Sequence, residues 1–289
     1  MRLNLMVVCG AAAGLSVGAL GARADEPQVD QQNVNAAADN STQAARGTPS
    51  EASPALTVDG KPWKFMIAPY LWIPAQHGTI ASRGVTANVS MNVGQSWDAL
   101  IDNFKFAACL HMEANKDKWT IFGDVMYTNL GNEVKQSNVD ADQKMGIFEL
   151  GGSYAVFDGK LPGAEDESKV RLRIEPLAGV RVWYLNVNIS DSVRSVGPDE
   201  AWVDGFAGAR CELAFNEAFS LSARADVGTG MSDLTWNILT MANYNFNRTF
   251  AIFAGWRWLS DDYSKGSGRD RFEYDIQFSG PFVGLKIMF

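Results

Sequence analysis

The sequence has few of the residues that build metal centres and nucleophilic active sites. Its 289 residues include three cysteines and two histidines. His77 falls in a predicted turn, and His111 falls on a charged strand face. Two histidines among scattered carboxylates do not form a metal-ligand set or a serine-histidine-acid triad, and no glycine-rich phosphate loop follows a strand. We therefore expect no enzyme activity, with no catalytic residue, metal site or cofactor.

Positive charge is also scarce. The chain has 25 Lys and Arg against 33 Asp and Glu, a formal net charge of −8. Phosphate backbones require clustered Lys and Arg, so we expect no nucleic-acid partner.

Beyond the amino terminus, no uninterrupted apolar run reaches the roughly 20 residues of a membrane-spanning helix. The amino terminus itself is typical of a secretory signal peptide, with Arg2, an apolar stretch from Leu5 to Leu20, and the small-x-small triplet Ala22-Arg23-Ala24. We predict a signal peptide at 1–24. Its removal takes away Arg2 and Arg23 and leaves 23 basic and 33 acidic residues, a net charge of −10.

Two cysteines remain in the mature chain. By strand parity Cys109 and Cys211 point to opposite sides of their sheet, and the short Cβ–Cβ span of a disulfide cannot cross it. We interpret both as small buried or wall residues.

Residues 25–60 are predicted to form a disordered linker. Asp25 to Thr57 is rich in Gln, Asn, Ala, Ser, Thr, Asp and Pro and has no apolar periodicity, so it cannot offset the entropy of ordering. Composition favours a spacer over a periplasmic interaction tail.

From residue 61 to 289 the chain alternates apolar and polar residues, which is the pattern of β-strands. Polar links such as Asn216-Glu217 and Asn247-Arg248 predict hairpin turns. We predict an all-β fold, a single antiparallel up-and-down barrel. It has about 12 strands if the Gly78–Val93 hairpin belongs to the wall, or about 10 if the hairpin is an excursion.

One face of these strands carries charges at mid-strand. A soluble lipocalin-like barrel would turn this face to water, whereas a membrane barrel turns it into the lumen. Short links after Ala114, Phe215 and Phe246 alternate with longer ones, which favours the membrane barrel. The predicted lumen-lining charges are Lys105, His111, Glu113, Asp124, Glu149, Arg171, Arg173, Glu175, Arg181, Asp204, Arg210, Glu212, Arg224, Asp226, Arg257 and Lys286.

Aromatic residues near strand ends fit girdles at the two membrane interfaces. We assign to them Trp63, Tyr70, Trp72, Trp119, Tyr127, Trp183, Tyr184, Trp202, Trp236, Trp256 and Trp258.

The last strand carries a resemblance to a known group of proteins. Val283, Leu285, Ile287 and Phe289 share one face, and the chain ends on this aromatic residue. The ending resembles the closing strand of bacterial outer-membrane β-barrels of the OmpA-like transmembrane and porin-like superfamily. Further landmarks are Pro69-Tyr70-Leu71-Trp72, the Trp97–Phe104 segment, Phe122-Gly123-Asp124-Val125-Met126-Tyr127 and Gly280-Pro281.

The resemblance implies a Gram-negative outer-membrane location, contact with outer-membrane lipid, and recognition of the closing strand by the barrel-assembly machinery. These landmarks imply a fold, and no activity is carried over with them.

One early stretch breaks the strand pattern. Trp97, Leu100, Ile101 and Phe104 recur at helical spacing, with Ser96 as the expected N-cap. We predict a short helix that either folds into the barrel mouth or packs on its rim, the rim being favoured.

Three functions fit this sequence. The first is a small porin-like channel or passive pore for small solutes. The second is a non-conducting structural or interaction barrel that presents Glu133–Asp142, Ser190–Glu200 and Ser260–Arg271 outside. The third, a soluble lipocalin-like binding barrel, fits less well.

Overall fold

The computed structural model describes residues 9–10, 57–58, 61–82, 85–133, 139–162, 170–191, 195–196, 199–268 and 271–289. Its main strands are β1 (Lys64–Trp72), β2 (Ala75–Ser82), β3 (Val85–Met91), β4 (Phe104–Lys116), β5 (Trp119–Glu133), β6 (Val139–Tyr154), β7 (Arg171–Asp191), β8 (Asp199–Ala214), β9 (Phe219–Gly230), β10 (Leu234–Asn245), β11 (Phe250–Lys265) and β12 (Phe272–Met288). Helix α1 spans Val93–Asn103. Short strands lie at Cys9–Gly10, Thr57–Val58, Lys61–Pro62, Phe157–Lys160 and Ser195–Val196.

The predicted signal peptide and linker lie outside the described residues, apart from the short pairings at Cys9–Gly10 and Thr57–Val58.

Ten antiparallel strands close into a ring. β1 pairs with β4, the chain then proceeds strand by strand from β4 to β12, and β12 returns to β1. The paired residues can be followed from strand to strand around the ring. Starting at Met66, this path returns to the same strand direction at Gly78, so the barrel has a stagger of 12 residues. Such a stagger tilts the strands relative to the barrel axis. The all-β, antiparallel, up-and-down expectation is confirmed.

The wall has ten strands, so the smaller of the two counts fits and twelve is not confirmed. β2 follows β1 along the same edge of β12, in the same register, after a break at Ile73-Pro74. Because proline has no backbone N–H, it interrupts the ladder without ending the strand direction. β2 therefore adds no place to the ring, and its hairpin partner β3 lies outside it.

The short β4–β5, β8–β9 and β10–β11 turns lie at one rim, which we call the turn rim. Asp117 adopts a left-handed φ of 55° in the β4–β5 turn. The Oδ1 atoms of Asn216 and Asn247 each accept two backbone N–H groups at 2.8 Å. These asparagines close their turns by side-chain to backbone bonds, as Asx turns do.

At the opposite rim, the extended rim, ladders continue where long loops were expected. Residues 131–133 and 139–142 belong to β5 and β6. Residues 186–191 pair with β6, Asn186 also pairs with β8, and Ile189 and Ser190 also pair with Ser195–Val196. Continued pairing satisfies backbone groups that a loop would leave to water. The predicted loop bounds at 133–142, 190–200 and 260–271 are therefore too wide.

The outside of the ring is apolar. Large exposed side chains alternate with inward ones along the strands and form an apolar belt of Ile121, Leu150, Val180, Leu221, Val227, Ile238, Trp256, Val283 and Leu285. At the turn rim, exposed aromatic residues follow one another round the barrel, namely Trp119, Phe219, Tyr244, Phe246, Phe250 and Phe289. A soluble barrel would bury these side chains, whereas a transmembrane barrel turns such a face to lipid.

Candidate functional site in the barrel lumen

The predicted charged face points away from the apolar belt. The side chain of Lys105 lies outside the described residues, and Arg171 sits at the turn rim with 62% of its side chain exposed. The other charges occupy the inward positions of their strands and are buried or half-buried. Three layers of contacts divide the lumen between the turn rim and the extended rim.

The middle layer is a web of arginines and carboxylates. Arg181 is fully buried, and it donates from Nε to Glu149 Oε1 at 2.9 Å and from Nη2 to Asp226 Oδ1 at 2.7 Å. Its third contact is Nη1 to Thr235 Oγ1 at 3.0 Å. A guanidinium held by two carboxylates and a hydroxyl is fixed in position and neutralised.

Arg257 crosses the lumen. It projects from β11 and donates from Nη2 to Glu149 Oε1, on the opposite side of the ring, at 3.0 Å. Its Nε donates to Asn237 Oδ1 at 2.9 Å, and its guanidinium lies 5.4 Å from the centre of the Trp72 ring. One side chain therefore bridges two walls at this level.

Arg224 and Asp124 complete the web. Arg224 Nε donates to Asp226 Oδ2 at 2.8 Å, and Arg224 Nη2 lies 2.9 Å from Glu149 Oε2. Tyr70 donates its hydroxyl to Asp124 Oδ1 at 2.7 Å, and Arg257 Nη1 lies 3.9 Å from that oxygen. The middle layer thus balances three arginines with three carboxylates, because unpaired charges in a confined interior are costly.

Glycines in the wall make room for this web. A Cβ on Gly179 would lie 2.6 Å from Phe206 Cζ, so the phenyl ring rests directly against this glycine. Arg181 and Arg224 in turn lie over the Phe206 ring, with guanidinium carbons 5.0 Å and 5.2 Å from its centre. Glycine, phenyl ring and guanidinium are stacked from the wall inward, and the ring face attracts the cations.

The layer near the turn rim is more open. Arg210 joins Glu113 to Glu175, with Nε 2.6 Å from Glu175 Oε2, and Arg173 donates to the other oxygen of Glu175 at 2.7 Å. Arg210 and Glu113 keep 21% and 11% of their side chains exposed. Water therefore reaches this layer, whereas Arg181 and Glu149 in the middle layer have no exposed side-chain surface.

Three further predicted charges lie near this rim. Arg171 donates to Asp158 at 2.8 Å, Glu212 accepts from Ser220 at 2.8 Å, and Lys286 donates to Asn243 at 2.7 Å.

His111 is enclosed by acids. Its Nδ1 lies 3.1 Å from Asp124 Oδ2, and its Nε2 lies 3.1 Å from Glu113 Oε1. Both ring nitrogens are therefore engaged with carboxylates, which leaves neither of them to take a proton from a serine nucleophile.

The layer near the extended rim is aromatic. The rings of Trp202 and Tyr263 stack in parallel with centres 4.4 Å apart, and Trp183 stacks on Trp202 at 6.0 Å. Tyr274 and Phe278 pack against the same group. This layer is a packed apolar core inside the barrel.

The girdle prediction is therefore wrong for four residues. Tyr70, Trp72, Trp183 and Trp202 are buried in the interior. Strand parity predicts the correct side, because Trp183 lies two residues from Arg181 and Trp202 lies two residues from Asp204, each on the same face of its strand. Aromatic residues fill the lumen here because stacked rings pack a wide interior efficiently.

A carboxyl pair lies under the turn between β9 and β10. Ser232 donates its backbone N–H to Asp204 Oδ1 at 2.7 Å, and its Oγ lies 2.8 Å from Asp204 Oδ2 and 3.0 Å from Asp261 Oδ1. Trp202 Nε1 donates to Asp261 Oδ2 at 2.8 Å. A serine hydroxyl has one hydrogen, so Ser232 donates this hydrogen to one carboxylate at a time while its backbone N–H holds Asp204.

The two mature cysteines face opposite sides, as their parity predicts. Cys109 is buried inside the ring, and Cys211 is exposed with a free thiol.

Helix α1 begins earlier than predicted. Asn92, rather than Ser96, is the N-cap, because its Oδ1 accepts the N–H of Gln95 at 2.9 Å while Gln95 Oε1 accepts the N–H of Asn92 at 2.9 Å. This reciprocal arrangement is a capping box. The side chains of Leu100 and Phe104 lie outside the described residues.

The closing strand β12 alternates as predicted. Val283 and Leu285 point outward, Lys286 points inward, and Phe289 exchanges backbone hydrogen bonds with Phe65 at 2.8 and 2.9 Å. The rings of Phe65 and Phe289 also stack at 6.0 Å.

Among the described residues, no group of three or more His, Cys, Asp and Glu side chains is arranged to hold a metal ion. In the same part of the chain, no helix is long and apolar enough to cross a bilayer.

A closed antiparallel ring with apolar side chains outside and ion pairs inside defines the class of the protein. The chain folds as a β-barrel of the bacterial outer-membrane type.

Among comparisons with known proteins, only the search of solved structures finds similar chains. No protein-family model and no curated protein matches the chain. Solved structures that are similar include Neisserial surface protein A, at 11% identity and a TM-score of 0.32, covering 78% of this chain and 99% of that one. Ail, the attachment invasion locus protein of Yersinia pestis, matches at 13% identity and a TM-score of 0.33, covering 78% and 98%. The translocator domain of the autotransporter NalP from Neisseria meningitidis matches at 11% and 0.32, covering 79% and 89%. Likeness this low says nothing about shared ligands or activities.

Proposed function

We propose that the chain is a non-conducting structural or interaction barrel of the Gram-negative outer membrane, with its extended rim outside the cell. The observation that carries this proposal is the contact between Arg257 and Glu149, which joins opposite walls through buried, neutralised side chains. An aromatic layer lies beyond it toward the extended rim. Two filled layers in series leave ions no hydrated path.

Single-channel recording in planar bilayers tests this proposal. The native protein should give no conductance steps. The variant Glu149→Ser/Arg257→Ser/Trp202→Ala removes the bridge without changing net charge, opens the aromatic layer as well, and should raise leak currents. The matched control is Asp158→Ser/Arg171→Ser, which removes an exposed pair at the turn rim and should stay silent. Steady conductance of the native protein would contradict the proposal.

A small porin-like channel is the second candidate. The partly exposed charges of the layer near the turn rim favour it, because water enters the lumen from that side. In this case small solutes would pass the middle layer, and the same recordings on native protein would show stable, ion-selective steps.

Export and assembly are part of the proposal. Cleavage after Ala24 would release the signal peptide, including Cys9–Gly10 and its pairing with β1. The barrel-assembly machinery would engage β12, and lipid would cover the apolar belt. Mass spectrometry of the membrane-extracted protein should show Asp25 as the first residue; retention of Met1 would contradict this step.

The proposal includes no enzymatic role. Because both nitrogens of His111 contact carboxylates, His111→Ala should leave any activity of the protein unchanged. A lipase or deacylase activity lost in this variant would overturn that assignment.

A further inference from the structure

Helix α1 shows an unusual distribution of side chains. Trp97 and Ile101, one turn apart on the same face, are 44% and 63% exposed. Ser96, on another face, is fully buried and donates its hydroxyl to the carbonyl of Pro74 at 2.6 Å. The helix therefore packs on the barrel through a small polar side chain, and it leaves Trp97 and Ile101 exposed.

The register places both ends of α1 at one level of the barrel. At its start, Met91 pairs with Gln76, and the adjacent Ala75 pairs with Ser279, which faces Trp258 on β11. At its end, Phe104 pairs with Leu130, three residues beyond Tyr127 on β5.

Trp258 and Tyr127 occupy outward positions at the extended-rim end of the apolar belt. The 11 residues of α1 cover about 16 Å. The helix therefore runs along the rim, beside the border of the belt, and does not rise away from it.

This level determines what can cover the exposed face. Tryptophan is enriched where a membrane meets water, because its ring suits the headgroup region. Helices with one apolar face lie in this plane with that face toward the acyl chains. The register therefore places α1 beside the belt that already meets lipid.

We propose that α1 is an interfacial helix whose Trp97 and Ile101 insert into the outer leaflet at the boundary between headgroups and acyl chains. The proposal rests on the placement of the barrel in the membrane. It assigns α1 to lipid contact at the rim and not to closure of the barrel mouth. The helix carries Asp98 and Asp102 and no basic residue, so apolar burial holds it there, not attraction to anionic headgroups.

Quenching of tryptophan fluorescence by brominated lipid tests this contact. The full-length protein is reconstituted in phosphatidylcholine vesicles whose acyl chains are either unmodified or brominated at carbons 6 and 7. The emission of Trp97 is obtained as the difference between native protein and Trp97→Phe. We expect this difference to fall at least twofold in brominated vesicles. Heat-modifiable gel mobility verifies that each variant is folded.

Two matched variants calibrate the quenching expected for a lipid-facing and for a buried tryptophan. Trp256→Phe reports a belt residue and should show the same quenching, whereas Trp202→Phe reports a buried lumen residue and should show none. If Trp256 is quenched and Trp97 is not, the helix proposal fails alone. If neither is quenched, the membrane placement fails with it. Protection of Trp97 from both bromine and aqueous acrylamide would indicate a protein partner such as a second copy, and would also overturn lipid contact.

Discussion

At the scale of single residues, close ion pairing offsets the free-energy cost of burying charges inside the barrel. Arg257 is almost fully buried, and its removal would leave Glu149 and Asp124 with fewer partners. Losing one member of a buried ion pair typically costs more than the pair contributes, because the remaining charge stays desolvated.

We predict that Arg257→Ala lowers the free energy of unfolding by about 3–5 kcal/mol, measured by urea titration in detergent micelles. Arg171→Ala, at the exposed rim, should change it by less than about 0.5 kcal/mol. Glu149→Gln/Arg257→Gln should be less destabilised than Arg257→Ala. Equal effects of Arg257→Ala and Arg171→Ala would contradict the buried bridge.

At the scale of elements, alternation along each strand could be predicted from sequence, whereas contacts between distant strands could not. The inward positions of Arg181, Asp204 and Glu149 follow from parity alone. Their partners do not, because Arg257 and Glu149 are 108 residues apart and meet only when register and stagger close the ring. The strand count depended on Pro74, which interrupts the pairing but does not reverse the chain. From the sequence alone, a proline that interrupts a continuing strand looks the same as a proline in a turn between two strands.

The wall glycines provide a test at this scale. Gly179→Ala would push a methyl group against the backbone carbonyl oxygen of Leu150 and against the Phe206 ring, and should cost about 1–3 kcal/mol, as overpacking does. Gly205→Ala is the matched control on the outer face, where the nearest atom to the new Cβ is 3.9 Å away. Unfolding midpoints that are equal for the two variants would contradict the close packing of the Leu150 backbone and the Phe206 ring against Gly179.

The closing strand provides a second test. Phe289→Ala keeps the backbone bonds to Phe65 and loses the ring stack. If assembly reads this terminal aromatic, the folded fraction in the outer membrane should fall severalfold, measured by heat-modifiable mobility. Phe246→Ala, in a turn of the same rim, should assemble normally. Normal assembly of Phe289→Ala would show that assembly does not depend on the ring of Phe289.

At the scale of the whole molecule, the account depends on two opposite faces. Burial of ion pairs and stacked rings holds the inside together, and the outside leaves large apolar side chains uncovered in the isolated chain. In water such a surface would drive association. In a bilayer the same surface contacts the acyl chains, which is favourable.

A nitroxide scan along β9, from Leu221 to Gly228 in lipid vesicles, tests this claim most directly. Collision with oxygen, which concentrates in lipid, should be high at Leu221, Ala223, Ala225 and Val227. It should be low at Ser222, Arg224, Asp226 and Gly228, giving a period of two. Equal accessibility at both sets, or preferential contact of Leu221 and Val227 with a water-soluble nickel reagent, would contradict a barrel that faces lipid.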